Sequence, residues 1–363
     1  MSQPLLLMGV VILICIVMNR FIQRLAVPSL LIFIALGMLF GENGLFRIPF
    51  DDYQVSSIIC SVSLIFIMFY GGFGTNLSAA RPVLAKSILL STVGVALTAG
   101  LCGLFVHLVL GLSLYESLLI GAVISSTDAA SVFNILRTNR LSLKYGSASL
   151  LEIESGSNDP VSYMLTVILV SLLAGESVSV PLMLLSQVAI GILCGVVIGK
   201  IAVLLLSRLT FSDEHGKTIL VFAVALVSYA LPDCLGGNGY LSAYLCGILM
   251  GNSSIAHKRQ LIHFFDVVTD ISQVIIFFLL GLLVTPAELP AVFVPALCIM
   301  VFLTLIARPA AVSALLLPFR SPLRQIGIVS WAGLRGAASI VFAIFAVLGG
   351  ARTSYNLFNL VFC

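Results

Sequence analysis

Thirteen times the chain returns to an apolar stretch, at about 5–18, 27–40, 55–73, 87–110, 117–136, 147–174, 182–207, 218–231, 239–251, 263–284, 291–317, 326–348 and from 356 onward. Several of these stretches reach the ~20 residues that carry a helix across ~30 Å of hydrocarbon. Of the 363 residues, 60% are apolar and only 9% charged, whereas a soluble domain carries roughly 25% charge. Such a chain cannot make a water-facing surface. It reads as an all-α polytopic membrane protein of one domain, residues 1–363, in contact with the lipid bilayer. A soluble enzyme and a peripheral protein are excluded, and a net charge of +3 is too small to suggest a nucleic-acid partner. Cys15, Cys60, Cys102, Cys194, Cys234, Cys246, Cys298 and Cys363 lie scattered with no C-x-x-C pair, so neither a disulfide framework nor a zinc site follows, and no cofactor is expected. The first stretch lacks a basic n-region and runs into Asn19-Arg20 rather than a small-residue cleavage site, which makes it a retained helix.

The charges between the stretches alternate. One set of connections holds Arg20 and Arg24, Arg81 and Lys86, Arg137, Arg140 and Lys144, Arg208 and Lys217, Lys258 and Arg259, and Arg320 and Arg324, which is 13 of the 18 basic residues. The other set holds Glu42, Asp51, Asp52, Glu116, Glu176, Asp233 and Glu288, with only Arg47 and Arg352 as bases. The positive-inside rule makes the basic set cytoplasmic and leaves the N-terminus outside. The thirteenth stretch has only eight residues before the chain stops at Cys363, so the chain reads as truncated. An odd helix count has a geometric consequence. Six helices, a linker helix over 182–207 and six more place the second copy upside down, giving inverted repeats at about 1–174 and 218–363. A short echo between Thr127-Asp128-Ala129-Ala130-Ser131 and Arg335-Gly336-Ala337-Ala338-Ser339 pairs segment five with segment twelve.

Within the apolar stretches stand Asp128, Glu152, Glu154, Asp159, Lys200, Asp266, Asp270, Arg308 and Arg335. A charge at a helix centre costs about 2.5 to 3.5 kcal/mol on insertion scales, so these groups must face one another or water. At ~1.5 Å per residue, Asp128, Arg308 and Arg335 lie about 14 to 15 Å from the cytoplasmic ends of their helices and Asp159 about 18 Å. Four helices thus bring charge to one layer near the midplane. An embedded charge can also be a buried ion pair that fixes packing, and this is the preferred reading of Arg308. Asp128 and Asp159 differ because each comes with neutral oxygen ligands and an expected helix break. Pro160 removes a backbone donor and frees the Gly156 carbonyl, while Ser126, Thr127 and Ser155 add hydroxyls. Carboxylate, carbonyl, hydroxyl and water oxygens are hard ligands suited to a small monovalent or divalent cation, and sodium, potassium and lithium accept them alike.

Ser155 and Asp159 share one helix face, and Glu154 and Asn158 the adjacent one. Asp159 is therefore expected to face the ion cavity, while Glu154 turns to an arginine. Arg308 is preferred over Arg335 as that partner, because a mid-helix arginine followed by Pro309 cannot snorkel to water. Glu152 is read as a cavity-entrance or interfacial residue, Asp266 and Asp270 as helix packing rather than funnel lining, and Lys200 as snorkelling to the inner interface.

Ser126-Thr127-Asp128-Ala129-Ala130, Glu154-Ser155-Gly156-Ser157-Asn158-Asp159-Pro160, Ala307-Arg308-Pro309 and Gly333-Leu334-Arg335-Gly336 resemble, in order and in topological position, the motifs of bacterial monovalent cation:proton antiporters of the NhaP type, in the cation:proton antiporter-1 family. The resemblance covers essentially the whole chain. It implies thirteen helices, a homodimer in the bacterial inner membrane, crossed unwound helices five and twelve, and ion binding by Asp159, with Thr127, Asp128, Ser155 and Asn158 around it. The Glu-Ser-Gly-Ser-Asn-Asp-Pro spelling is closest to potassium/proton exchangers, which often carry a cytosolic regulatory tail. Tyr70 departs from the pattern, since many relatives have a carboxylate there.

The mechanism expected is secondary active antiport without covalent chemistry. A carboxylate holds a proton or a cation but not both well, so competition at Asp159 couples the two fluxes when the site is exposed alternately to each side. Asn158 is neutral, which favours one proton for one K+ or Na+ and electroneutral exchange. Two alternatives are a cation channel, for which no symmetric carbonyl-rich filter is evident, and an intramembrane aspartyl protease using Asp128 and Asp159, for which no Gly-x-Gly-Asp sequence is present. His107, His215, His257 and His263 show no metal spacing, and the chain is not read as an enzyme.

Overall fold

Local sequence signals start and stop the helices of the computed structural model, which describes residues 9–10, 13–14, 29–42, 44–48, 50, 52–128, 143–176, 179–209, 214–255, 258–350 and 357–363. Helix α1 spans Ser29–Phe40. Helix α2, Tyr53–Gly74, begins where the Asp52 carboxylate accepts the Val55 N–H at 2.9 Å. Helix α3, Leu84–Leu110, contains a π-helical turn at Leu90–Gly94 and ends at Gly111, whose φ of 67° is the left-handed conformation that terminates helices. Helix α4, Leu114–Val123, is capped by Ser113. Then come α5, Ser147–Leu173, α6, Val180–Arg208, and α7, Glu214–Cys234. Helix α8, Gly239–Gly251, is capped by Asn238, and α9 spans Lys258–Leu283. Helix α10 joins Leu289–Phe302, a π-helical turn at Leu303–Ala307 and Arg308–Leu316. Helices α11, Leu323–Trp331, α12, Ala337–Leu348, and α13, Leu357–Phe362, follow, and a single helical turn at Leu77–Ala80 lies between α2 and α3.

The π-helical turn in α10 has a local cause. Pro309 cannot donate to the carbonyl of Leu305, and its ring crowds that oxygen, so the helix widens just before it. No strand occurs among the described residues. Six of the described helices are long and apolar enough to cross a membrane, and the outward faces of α6 and α10 expose Leu182, Leu185, Leu193, Leu297 and Leu305. The protein is an all-α membrane protein. Segment one, residues 129–142 of segment five and its following connection, Arg20, Arg24, Arg137, Arg140, Arg352 and Asp51 lie wholly or largely outside the described residues.

Backbone contact between α2 and α8 organises the middle of the bundle. A Cβ on Gly72 would stand 2.1 Å from the Tyr244 carbonyl oxygen, and one on Gly247 would stand 2.1 Å from that of Phe69. Only glycine permits this approach. Helix α5 packs against α4, α8 and α12, so the embedded acids of its middle turns are surrounded by protein.

Two expectations about helix breaks fare differently. Segment twelve stops at Trp331 and resumes at Ala337, with residues 333–336 outside any helix, and segment five leaves its helix after Val123, with Ser125, Ser126, Thr127 and Asp128 non-helical. Segment six is the correction. Helix α5 continues through Pro160 without interruption. The proline removes one hydrogen bond, and the flanking helices hold the turns on both sides in register.

Candidate functional site

The two interrupted segments touch at their breaks. The Asp128 N–H donates to the Leu334 carbonyl at 2.8 Å, and the Ser126 and Ser339 hydroxyls lie 3.2 Å apart. Arg335 sends Nη1 to the Ser125 carbonyl at 2.8 Å and also to that of Ser126, just beyond the C-terminal end of α4. Asp128 lies against Gly336, the N-cap of α12, where a Cβ would stand 3.1 Å from its Oδ2. A guanidinium thus meets the negative end of one half-helix and a carboxylate the positive end of the other, and each complements the helix dipole it faces.

Helix α5 presents its acidic motif to this junction. Ser155 Oγ donates to the Thr127 carbonyl at 2.8 Å, and Asn158 Nδ2 donates to the Thr127 hydroxyl. Thr127 Oγ1 lies 3.4 Å from both Glu154 oxygens. These bonds follow from spacing, because Glu154, Ser155 and Asn158 project from successive turns toward one non-helical strand of backbone. Unwound backbone is what lets Thr127 offer both a carbonyl and a hydroxyl at this depth.

Glu154 also takes Arg308 Nη2 at 3.0 Å, with both residues almost wholly buried. Room for the guanidinium comes from the break in segment twelve, since a Cβ on Gly333 would stand 3.2 Å from Arg308 Nε. Arg335 is engaged with carbonyls instead. Asp159 is 8% exposed, with the Ser126 hydroxyl beside it and Asp128 and Glu154 as its carboxylate neighbours. Asp128, Thr127, Ser155, Asn158 and Asp159 therefore gather around the junction, walled on one side by the Glu154–Arg308 pair. The cluster presents carboxylate, hydroxyl, amide and carbonyl oxygens, hard ligands of the kind that suit a small cation.

Other embedded charges stand apart. Glu152, Lys200, Asp266 and Asp270 are exposed. The Tyr70 hydroxyl donates to Asp266, so the residue that departs from the family pattern ties α2 to α9. Sequence reasoning missed Asn238, whose Nδ2 donates to the Pro160 carbonyl at 2.7 Å, and Tyr244, which packs on Gly156. A signal for the second was present. Gly247-Ile248-Leu249-Met250-Gly251 is a G-x-x-x-G pattern, the mark of close helix approach.

The family model for sodium/hydrogen exchangers, transmembrane, matches residues 9–363. The chain is 39% identical over 364 residues to a K(+)/H(+) antiporter NhaP from Alkalimonas amylolytica, covering 99% of this chain and 63% of that protein. It is 39% identical over 346 residues to a K(+)/H(+) antiporter NhaP2 from Shewanella sp. (strain ANA-3), covering 94% of this chain and 60% of that one. The chain thus spans about three fifths of the length of these curated relatives. Its fold matches the solved sodium proton antiporter MjNhaP1 from Methanocaldococcus jannaschii at pH 8 with a TM-score of 0.86 and 20% sequence identity, covering 99% of this chain and 92% of that one.

Proposed function

The chain belongs to the sodium/hydrogen exchanger family, and from that premise we propose that it is a secondary active antiporter exchanging protons for K+ or Na+ at Asp159. The observation that carries this reading is a buried Asp159 beside two interrupted helices that meet through Asp128 and Leu334. Asp159 holds either a proton or a cation, and Thr127, Ser155, Asn158 and Asp128 supply the oxygens that replace the cation's water. Glu154 is neutralised by Arg308 and takes no part in exchange. With one exchanging carboxylate, each turnover moves one proton against one cation and no net charge.

Alternating access to Asp159 supplies the coupling. Inverted repeats at about 1–174 and 218–363, related through α6, bring segment five onto segment twelve as crossed half-helices. The facing breaks and their complementary charges, Asp128 and Arg335, support that symmetry. The alternation of basic and acidic connections supports an N-terminus outside a bacterial inner membrane. The family resemblance supports a homodimer.

Purified protein in liposomes loaded with a pH-sensitive dye tests this directly. Addition of K+ or Na+ is expected to drive proton movement that an imposed membrane potential does not alter. No cation-driven proton movement overturns the antiport reading, and a rate that follows the potential overturns electroneutrality.

A further inference from the structure

Tyr244, on α8, is 2% exposed. Two glycines fix its place. Gly72 brings the backbone of α2 onto its carbonyl oxygen, and on the other side a Cβ on Gly156 would stand 2.7 Å from its ring Cε2 and 2.9 Å from its hydroxyl. The phenol is wedged over α5 at Gly156. Glu152, four residues before Gly156, and Asp159, three after it, lie on the same helix face, and both carboxylates are charged neighbours of the phenol. Glu152 is exposed, whereas Asp159 is buried in the site. Tyr244 therefore stands between the outermost acid of this stripe and the innermost one.

Its hydroxyl is buried and makes no hydrogen bond of ordinary length and angle among the described residues; the Thr75 hydroxyl is near enough for a weak one, but its proton is given elsewhere, which leaves the phenolic oxygen's acceptor sites free. The Thr75 hydroxyl beside it donates to the Gly71 carbonyl at 2.8 Å. Burying an unpaired hydroxyl is costly, and a phenylalanine would fill the same slot without that cost. An oxygen held this way, with two carboxylates as its charged neighbours, suits a ligand that arrives and leaves.

We propose that Tyr244 coordinates the transported cation on its way between Glu152 and Asp159, its neutral phenolic oxygen replacing a water of the hydration shell. This rests on the reading of Asp159 as the exchange site. The phenol adds an oxygen without adding a charge, so it sets cation affinity and leaves the one-for-one balance untouched. Rigid placement matters here. The α2–α8 backbone contact keeps the oxygen from following the ion, which favours release into the site rather than trapping.

Tyr244→Phe in liposomes is the primary test, since it keeps the ring and removes only the oxygen. The apparent KM for K+ or Na+ is expected to rise about tenfold, the scale of one lost contact to a charged group, with the maximal rate held within about twofold. Gly156→Ala, whose methyl displaces the ring, should raise KM in the same way while Tyr244 is intact. An unchanged KM in Tyr244→Phe overturns the proposal, as does a fall in maximal rate alone. A second measurement separates this proposal from the antiport reading. K+ or Na+ should raise the thermal midpoint of detergent-solubilised wild type, and that rise should shrink in Tyr244→Phe. If wild type shows no exchange, the antiport reading falls, while an equal cation-induced rise in both proteins still overturns the role of Tyr244.

Discussion

Glu154 and Arg308, 154 positions apart in the chain, close a buried ion pair in which Nη2 and Oε1 are 3.0 Å apart. The pair fastens α5 to α10 beside the junction of the two interrupted segments. It also marks a division among the acids of α5, since Glu154 is charge-balanced in place whereas Asp159 has the Asp128 and Glu154 carboxylates as charged neighbours.

Breaking the pair leaves a buried charge uncompensated, at a cost of about 3 to 5 kcal/mol. Arg308→Met should therefore lower the thermal midpoint sharply in detergent. The double variant Glu154→Gln with Arg308→Met should be more stable than Arg308→Met alone, because neither charge then remains. A double variant no better than the single one would show that the guanidinium acts through packing alone.

Asp159→Asn should fold, elute as wild type does on size exclusion, and lose cation-driven proton movement to the level of empty liposomes. The amide keeps the shape and most of the hydrogen bonding of the carboxylate but cannot exchange a proton. Near wild-type exchange by purified Asp159→Asn would move the exchange site elsewhere.

Much of this arrangement was legible in the sequence because embedded charge is costly, which makes each such residue informative. Asp128, Glu154, Asp159, Arg308 and Arg335 stand out against an apolar background, and helical spacing separates Glu154 from Asp159. Two features were not legible. Pro160 reads as a break, but packing on several sides carries α5 through it, and single-chain pattern contains no term for neighbours. Asn238 and Tyr244 are ordinary residues on a distant helix, brought to α5 by the packing of α8 against α2 at Gly72 and Gly247 and against α6 at Gly191 and Gly195. Their part in the site is a property of packing, and the glycines were its only trace.

Thr127 tests whether the hydroxyl network matters apart from the carboxylates. Its hydroxyl receives Asn158 Nδ2 and lies 3.4 Å from both Glu154 oxygens. Thr127→Val has the same shape and leaves the buried Asn158 amide without that partner, a penalty of about 1 to 3 kcal/mol. Lower stability together with a raised KM for the cation is expected, and Thr127→Ser should restore both. If Thr127→Val binds and exchanges cations as wild type does, Thr127 serves through its backbone carbonyl alone.

Gly336→Ala probes the junction itself. Gly336 has φ −129° and ψ −165°, an extended conformation open to alanine, so any effect is steric rather than conformational. A Cβ there would stand 2.6 Å from the Asp128 Cβ and 3.0 Å from its Cγ. Asp128 cannot yield by turning its side chain, since the conflict includes its Cβ and its N–H is tied to the Leu334 carbonyl at 2.8 Å. The two breaks must separate, which pulls the Asp128 carboxylate from the N-terminus of α12 and strains the Arg335 bonds to the Ser125 and Ser126 carbonyls. A fall in exchange of at least about tenfold is expected, equivalent to ~1.4 kcal/mol at the barrier. Gly327→Ala is the control, because a Cβ at that position of α11 meets nothing within 4 Å. Alanine favours a helix over glycine by about 1 kcal/mol, so Gly327→Ala should match or exceed wild-type stability with unchanged exchange. Equal exchange rates in the two variants would mean that the facing breaks can part without cost, and the junction would lose its claim to hold the site.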